Sequence, residues 1–475
     1  MMNARFLPLL AVIICCTECV YVPKVRIFTP RVRKFSIPKG DDPGQPLFLS
    51  PYIQAGQISK AQNLAKVTPD IGNTTSYSGF LTTNKSCGNN LFFWFFPAQQ
   101  DWENAPLVLW LQGGPGGSSM FGLFEENGPF NSFPEGLKTR KYSWNVKNNL
   151  LFIDQPVGTG YSFTTNKCYA ENQTVIGENL YSALVQFLQL FPNLQKNKFI
   201  VTGESYAGHY IPTIGYTIHK NNPSAQLKIN LAGMMIGDGW TDPRNQINYG
   251  DYLYETGLID YAEREEFYHY QKLFVSQVDA EQWSAAYDSW NNILELFNKY
   301  ASVDVYNYLP QEPDRSNWDE FIQSTSTRKA IHVGALEFDE ESREVYNHLT
   351  EDMVKSVKPL VETLLEHYPI VFYVGQVDVI CGYPMVVNFL RSLDWSGQQH
   401  YLNTKRSKWF VGKDVAGYIK GTRRLYDVLV RDAGHMVPSD QPLWAFALVN
   451  AFTANPGALS LPSSPFNNDT NDIVE

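Results

Sequence analysis

The chain has 475 residues, 18% of them charged and 14% aromatic, and a formal net charge of −10. Such a length buries a large core, such a composition excludes wholesale disorder, and the negative balance disfavours a nucleic-acid binder, which needs a basic face. One large α/β domain with insertions is expected.

The N-terminus reads Met-Met-Asn-Ala-Arg5, then an apolar run from Phe6 to Cys16, then Thr17-Glu-Cys19. This is the pattern of a secretory signal peptide over 1–19, too short to span a bilayer. No later stretch is long and apolar enough to do so, and no stable membrane span is expected. Residues 20–50 read as an N-terminal arm or propeptide-like segment. Asn73, Asn84, Asn172 and Asn468 each open an Asn-x-Ser/Thr sequon, and after a signal peptide these are expected to carry glycans. Of six Cys, Cys15, Cys16 and Cys19 leave with the signal. The odd number that remains leaves a free thiol or an intermolecular bridge. Spacing alone does not fix the pairing; a Cys87–Cys168 bridge with Cys381 free is expected.

Strands are predicted over Tyr77–Leu81 and Asn90–Phe96, an antiparallel pair about a Cys-Gly-Asn turn. Further buried strands are predicted over Ala105–Leu111, Asn149–Asp154, Phe199–Val201, Lys228–Ile236, Ile370–Val374 and Leu425–Val430. Helical patterns such as Ile176–Leu190 separate several of them. Alternating strands and helices predict a mostly parallel sheet covered on both faces, an α/β class that the chain order Ser205, Asp378, His435 makes an α/β-hydrolase fold. The core is expected in two parts, 51–241 and 331–460, with a helical cap insertion over 242–330 and a polar tail over 461–475. Within the insertion, Asp260-Tyr-Ala-Glu263 resembles a capping box. Trp283, Ala286, Tyr287, Trp290, Leu294 and Phe297 share one helical face, expected to be packing.

Three stretches carry chemistry. Gly203-Glu-Ser-Tyr-Ala207 after a strand reads as a sharp turn presenting the Ser205 hydroxyl. Trp110-Leu-Gln-Gly-Gly-Pro-Gly-Gly-Ser-Ser119 puts four Gly in five residues, so its backbone N–H groups are open to an oxyanion. It lacks the Lys and Ser/Thr of a phosphate loop. Asp378 and His435 each follow a strand. The order Ser205, Asp378, His435 is that of α/β-hydrolase triads. A free Ser hydroxyl is a poor nucleophile, so it needs His435 as base and Asp378 to orient that base. His209 lies too close to Ser205 in sequence and is expected to be a packing residue. No His/Cys cluster has metal-ligand spacing, so neither metal nor other cofactor is expected.

These stretches, with Asp154-Gln-Pro-Val-Gly-Thr-Gly160, Gly237-Asp-Gly-Trp240 and Gly434-His-Met-Val-Pro438, resemble the serine carboxypeptidases, peptidase family S10. The likeness runs from about residue 75 to 455 and is nearest to the vitellogenic-like branch. The resemblance implies a peptidase acting on peptide or protein C-termini through an acyl-enzyme. It implies Ser205, Asp378 and His435 as the triad, and the N–H groups of Gly114 and Tyr206 as the oxyanion hole. Gln112, Glu126 and Glu204, with Gly113 nearby, would clamp the substrate's terminal carboxylate. Phe121, Glu125, Cys381 and Met436 would border the leaving-residue pocket. Paired acids that share a proton can donate a hydrogen bond to a carboxylate, so activity is expected to favour acidic pH. A secreted or lysosome-like vesicular location fits, and a homodimer is compatible. The chain departs from the family pattern in three places. Gln112 stands for the commoner Asn, Gly117 for a commonly found Cys, and Asp238 for an Asn; none is expected to touch the triad. An acyltransferase or esterase on the same triad, or a non-catalytic binding or storage homologue, are the competing readings.

Overall fold

The computed structural model describes residues 35–312 and 315–464. The expected signal peptide, residues 20–34 of the arm, Asn468 and most of the polar tail lie outside the described residues.

The strands in chain order are β1 Tyr77–Asn84, β2 Asn89–Phe96, β3 Leu107–Leu111, β4 Phe130–Phe133, β5 Gly136–Thr139, β6 Asn149–Ile153, β7 Phe163–Thr164, β8 Phe199–Glu204, β9 Leu231–Gly237, β10 Ile370–Gly375, β11 Ser407–Val411, β12 Asp414–Gly421 and β13 Leu425–Val430. Eleven form one sheet in the order β1-β2-β6-β3-β8-β9-β10-β13-β12-β11, with β7 beside β2. β4 and β5 pair separately. From β6 to β13 the neighbours run parallel, and the strands outside them are antiparallel.

The parallel centre forms because its strands are continuous apolar runs, which suit burial on both faces. Along β3, Leu107, Leu109 and Leu111 face one core while Val108 and Trp110 face the other, the period-two alternation of a strand. On the first face lie the helices Gln173–Leu190 and Ala207–Asn221. Asn172 caps the former through Oδ1, which accepts the N–H of Val175 at 3.1 Å. Its Phe187 sits 5.1–5.6 Å from the Phe93 and Phe95 rings, fully buried. A Phe187→Ala change there costs about 3–5 kcal/mol. The helix Pro442–Ala454 covers the second face with Ala445, Phe446 and Leu448.

The insertion supplies two long helices, Tyr261–Asp279 and Trp283–Tyr300. Asp260 and Glu263 form the reciprocal capping box. Ala286, Trp290, Leu294 and Phe297 are buried as the spacing predicts, and Trp290 stacks on Trp240 at 5.5 Å. The later helices Trp318–Gln323 and Thr325–Ala330 instead send Trp318, Ile322 and Ala330 into the core on the opposite face. Helices of 242–330 therefore divide between two sides of the sheet.

Two features were not expected. β11 and β12 extend the sheet as an antiparallel edge, and Ser407, Lys408 and Asp414 are exposed along them. An edge with one solvated face lacks a continuous apolar run. A π-helical segment, Gly122–Asn127, follows the glycine-rich turn and carries Glu125 and Glu126. Cys87 and Cys168 are bridged, with Cα atoms 5.7 Å apart, and Cys381 is a buried free thiol. No helix among the described residues is long and apolar enough to cross a membrane.

Candidate active site

Ser205 lies between β8 and the Ala207–Asn221 helix with φ +62°. The turn is possible because its neighbours are small. A Cβ on Gly203 would lie 2.1 Å from the Leu111 carbonyl oxygen of β3. Asp378 follows β10 and His435 follows the neighbouring β13, with β9 between β10 and β8, so all three stand at the carboxyl edge of the parallel centre. His435 Nδ1 is 2.9 Å from Asp378 Oδ2, and both residues are buried. Asp378 Oδ2 also accepts the N–H of Cys381 at 3.3 Å. His435 is held from the insertion: its backbone N–H donates to the Tyr306 carbonyl at 2.7 Å, and the Tyr306 ring lies 5.1 Å away. Tyr252 Oη donates to the Asp378 carbonyl at 2.7 Å. His435 Nε2 is buried without a partner among the described residues. Nε2 therefore makes no hydrogen bond to the Ser205 hydroxyl here, and such contacts commonly tighten when substrate enters. His209 is a packing residue, as expected: its ring nitrogens meet the carbonyls of Trp240 and Lys355.

The glycine-rich turn packs directly on the elbow. A Cβ on Gly113 would lie 2.5 Å from Ser205 Cβ and 2.7 Å from Tyr206 N. Neither the Gly114 nor the Tyr206 N–H donates to another group among the described residues. Buried Asp154 fixes the turn: Oδ1 accepts from Ser118 Oγ at 2.6 Å and Ser119 N at 3.0 Å. Burial pushes its carboxyl up to about 6, against these donors. Ser118 N also donates to Glu340 O, and Ser342 N to Gly116 O. On the elbow side, Tyr206 Oη and Gln173 Nε2 each donate to Asp352 Oδ2 at 2.6 Å.

Beside this turn lie two buried acids. Gln112 Oε1 accepts from Trp110 Nε1 at 2.9 Å, which leaves Gln112 Nε2 to donate to Glu204 Oε1 at 2.7 Å. Glu126 is within hydrogen-bond reach of Glu204 and Gln112, but no donor is aligned on either of its oxygens. Glu204 Oε2 also lacks one. Burial raises Glu126 to about 7; burial and the charge of Glu126 raise Glu204 well above the usual range. One proton between them supplies the missing donor.

Among the pocket candidates, Cys381 Sγ, an Asp378 oxygen and a His435 nitrogen lie within 4.8 Å of one another. Burial pushes the Cys381 thiol up, so it is not a ready thiolate. Phe121 immediately precedes the π-helical segment, and its ring meets Trp318 edge-on at 6.3 Å. Glu125, on that segment, accepts from Ser316 Oγ. Met436 is half-buried beside His435 in the chain.

One expectation is corrected. Asp238 does touch the triad: its carboxyl is within hydrogen-bond reach of Asp378. The register that pairs Gly237 with Tyr373 brings the two turns together, which spacing along the chain does not reveal. Trp110 and Asp352 were also missed. Trp110 reads as an ordinary buried strand residue, and Asp352 lies in a polar segment with no motif. Asp154 had a signal, the Asp-Gln-Pro-Val-Gly stretch, but no residue-level role.

The described family model for serine carboxypeptidases matches residues 68–455. The chain is 46% identical over 432 residues to a venom serine carboxypeptidase of Apis mellifera, covering 88% of this chain and 92% of that protein. It is 43% identical to a vitellogenic carboxypeptidase of Aedes aegypti, covering 86% and 90%. It is 41% identical to a probable serine carboxypeptidase of Homo sapiens, covering 91% and 94%. The crystal structure of a prohormone-processing carboxypeptidase from Saccharomyces cerevisiae superposes with a TM-score of 0.72 at 26% identity, covering 83% of this chain and 95% of that one.

Proposed function

The chain belongs to the serine carboxypeptidase family, and from that premise we propose that it removes C-terminal residues with Ser205 as nucleophile, His435 as base and Asp378 as the group that orients the base. Ser205 Oγ attacks the carbonyl of the last peptide bond as His435 Nε2 takes its proton. The 2.9 Å contact of Asp378 with Nδ1 keeps Nε2 free for that role. The N–H groups of Gly114 and Tyr206 receive the oxyanion, and each such donor is worth about 10²–10³ in rate. His435 then returns the proton to the leaving amine, and water resolves the acyl-enzyme by the reverse path.

Restriction to chain ends follows from the clamp. Gln112, Glu126 and Glu204 offer an amide and a shared proton to a free carboxylate, which an internal peptide bond does not possess. Raising pH removes the proton and sets two negative groups against the substrate, so catalysis favours acid. The unpaired oxygens of buried Glu126 are the observation that carries this reading. A lysosome-like or acidifying vesicle fits that demand. The Cys87–Cys168 bridge and the exposed Asn73, Asn84 and Asn172 support a secretory route.

The test has two parts. A fluorophosphonate label is mapped by mass, and free amino acid is measured from a blocked dipeptide and from its C-terminal amide. Label on Ser205 and strong preference for the acid over the amide are expected. Label elsewhere rejects the nucleophile, and equal cleavage of acid and amide rejects the clamp.

A further inference from the structure

Asp238 stands just past β9, fully buried, with φ +45°. Its backbone N–H donates to the Tyr373 carbonyl at 2.8 Å, and its Oδ1 accepts the N–H of Gly375 at 2.8 Å. Its Oδ2 has no donor among the described residues. The carboxyl of Asp378 is within hydrogen-bond reach. Asp378 commits Oδ2 to His435 Nδ1 and the Cys381 N–H, while its Oδ1 is buried without a donor. Two facing carboxylates that only accept would leave both oxygens unsatisfied. One proton between them satisfies both at once.

The surroundings say where that proton sits. Asp378 Oδ2 already accepts from the imidazole, and Asp238 Oδ1 already accepts from Gly375. We propose that Asp238 is a positioning residue for the triad: its Oδ2 carries a proton and donates it to Asp378 Oδ1, which turns Oδ2 toward His435. The proposal rests on the Ser205–His435–Asp378 reading given above. The titratable groups facing Asp238 are Glu204 at the end of β8, Tyr373 on β10, Asp378 and Cys381 in the next turn, Tyr252 from the insertion, and Asp440 after His435. None of these is a cation; His435, which becomes one in catalysis, contacts Asp378, so the charge it favours is that of Asp378 and not of Asp238. Burial first, and the Asp378 charge second, hold the Asp238 carboxyl well above its ordinary range.

An Asn at 238 keeps an acceptor for Gly375 and a donor for Asp378 at every pH; a Leu keeps neither. The experiment measures the rate of Ser205 labelling by a neutral organophosphonate against pH, in wild type, Asp238→Asn, Asp238→Leu and Ser205→Ala. The probe carries no terminal carboxylate, so the clamp does not enter. Asp238→Asn is expected to keep the acid limb in place. Asp238→Leu is expected to label about tenfold to a hundredfold more slowly, the loss of one hydrogen bond to a charged group. Its acid limb moves to higher pH, because an undamped Asp378 holds a proton on the pair more tightly. A purely structural role would lower Tm in the Leu variant without moving that limb. If Asp238→Asn moves the limb to lower pH, Asp238 was ionised and the proposal falls. It falls equally if Asp238→Leu matches wild type in rate and limb. If the Leu variant does not fold, the Asn limb alone decides. Labelling that persists in Ser205→Ala would instead overturn the triad reading itself.

Discussion

Replacing Glu204 by Gln separates the clamp from the triad. Glu204 is buried, accepts from Gln112 at 2.7 Å through Oε1, and has no donor on Oε2. Its neighbour Glu126 is raised by burial to about 7. Burial and the Glu126 charge hold the Glu204 carboxyl well above its ordinary range. The pair therefore keeps a proton it can offer to the substrate's carboxylate until both acids have ionised; then the donor is gone and charge repels charge. One hydrogen bond to a charged group is worth about 1.5–3 kcal/mol, or about tenfold to a hundredfold in binding. A Gln at 204 keeps an acceptor for Gln112 and adds an N–H donor that does not titrate. The assay is kcat/KM against pH on a blocked dipeptide. Wild type should fall on the alkaline side, once both acids have ionised, chiefly through KM, since the clamp grips ground and transition states alike. In Glu204→Gln the amide donor persists at every pH and only one acid is left to repel the substrate, so that fall should be smaller, while the acid limb stays. Superimposable alkaline limbs in the two enzymes would refute the reasoning.

Three further outcomes are expected. Glu126 has a folded pKa of about 7 against an ordinary 4.5. Its contribution to stability is therefore full below about pH 4.5 and lost as pH climbs through about 7. Glu126→Gln should match wild type in stability at acid pH and exceed it above neutrality, by at most about 3 kcal/mol, read as a Tm gap that opens with pH; a constant Tm difference would count against the buried pair. Gly113→Ala places a Cβ 2.5 Å from Ser205 Cβ and 2.7 Å from Tyr206 N. It should lower kcat by about 10²–10³, the worth of a displaced oxyanion donor, with far-UV circular dichroism retained; wild-type kcat would mean the two loops do not cooperate. Cys87→Ser with Cys168→Ser opens a link spanning 81 residues. Chain entropy predicts a loss of about 4–5 kcal/mol, read as a lowered denaturation midpoint, and an unchanged midpoint would contradict it.

The parallel centre was legible because buried strands write themselves as apolar runs; Leu425–Val430 is the same in sequence and structure. The elbow, the glycine-rich turn and the insertion's packing stripe were legible for the same reason, since sharp turns and helical faces restrict residue type locally. The edge strands β11 and β12 were not, because Lys408 and Asp414 face water and blur the alternation. Nor was the π-helical turn that carries Glu126, because Gly122–Asn127 has no periodicity of its own. Contacts between elements were the least legible. Asp238 meets Asp378 only through the β9–β10 register, and Trp110 reaches Gln112 only once the turn after β3 folds back. A family departure at Asp238 was visible in the sequence, but its partner was not.

The central claim is that one hydroxyl starts the chemistry. It is tested most directly by kcat/KM of Ser205→Ala on a blocked dipeptide, with folding verified by Tm. The account predicts a loss of roughly 10⁵–10⁶, as for removal of a triad serine. Activity within tenfold of wild type would contradict it.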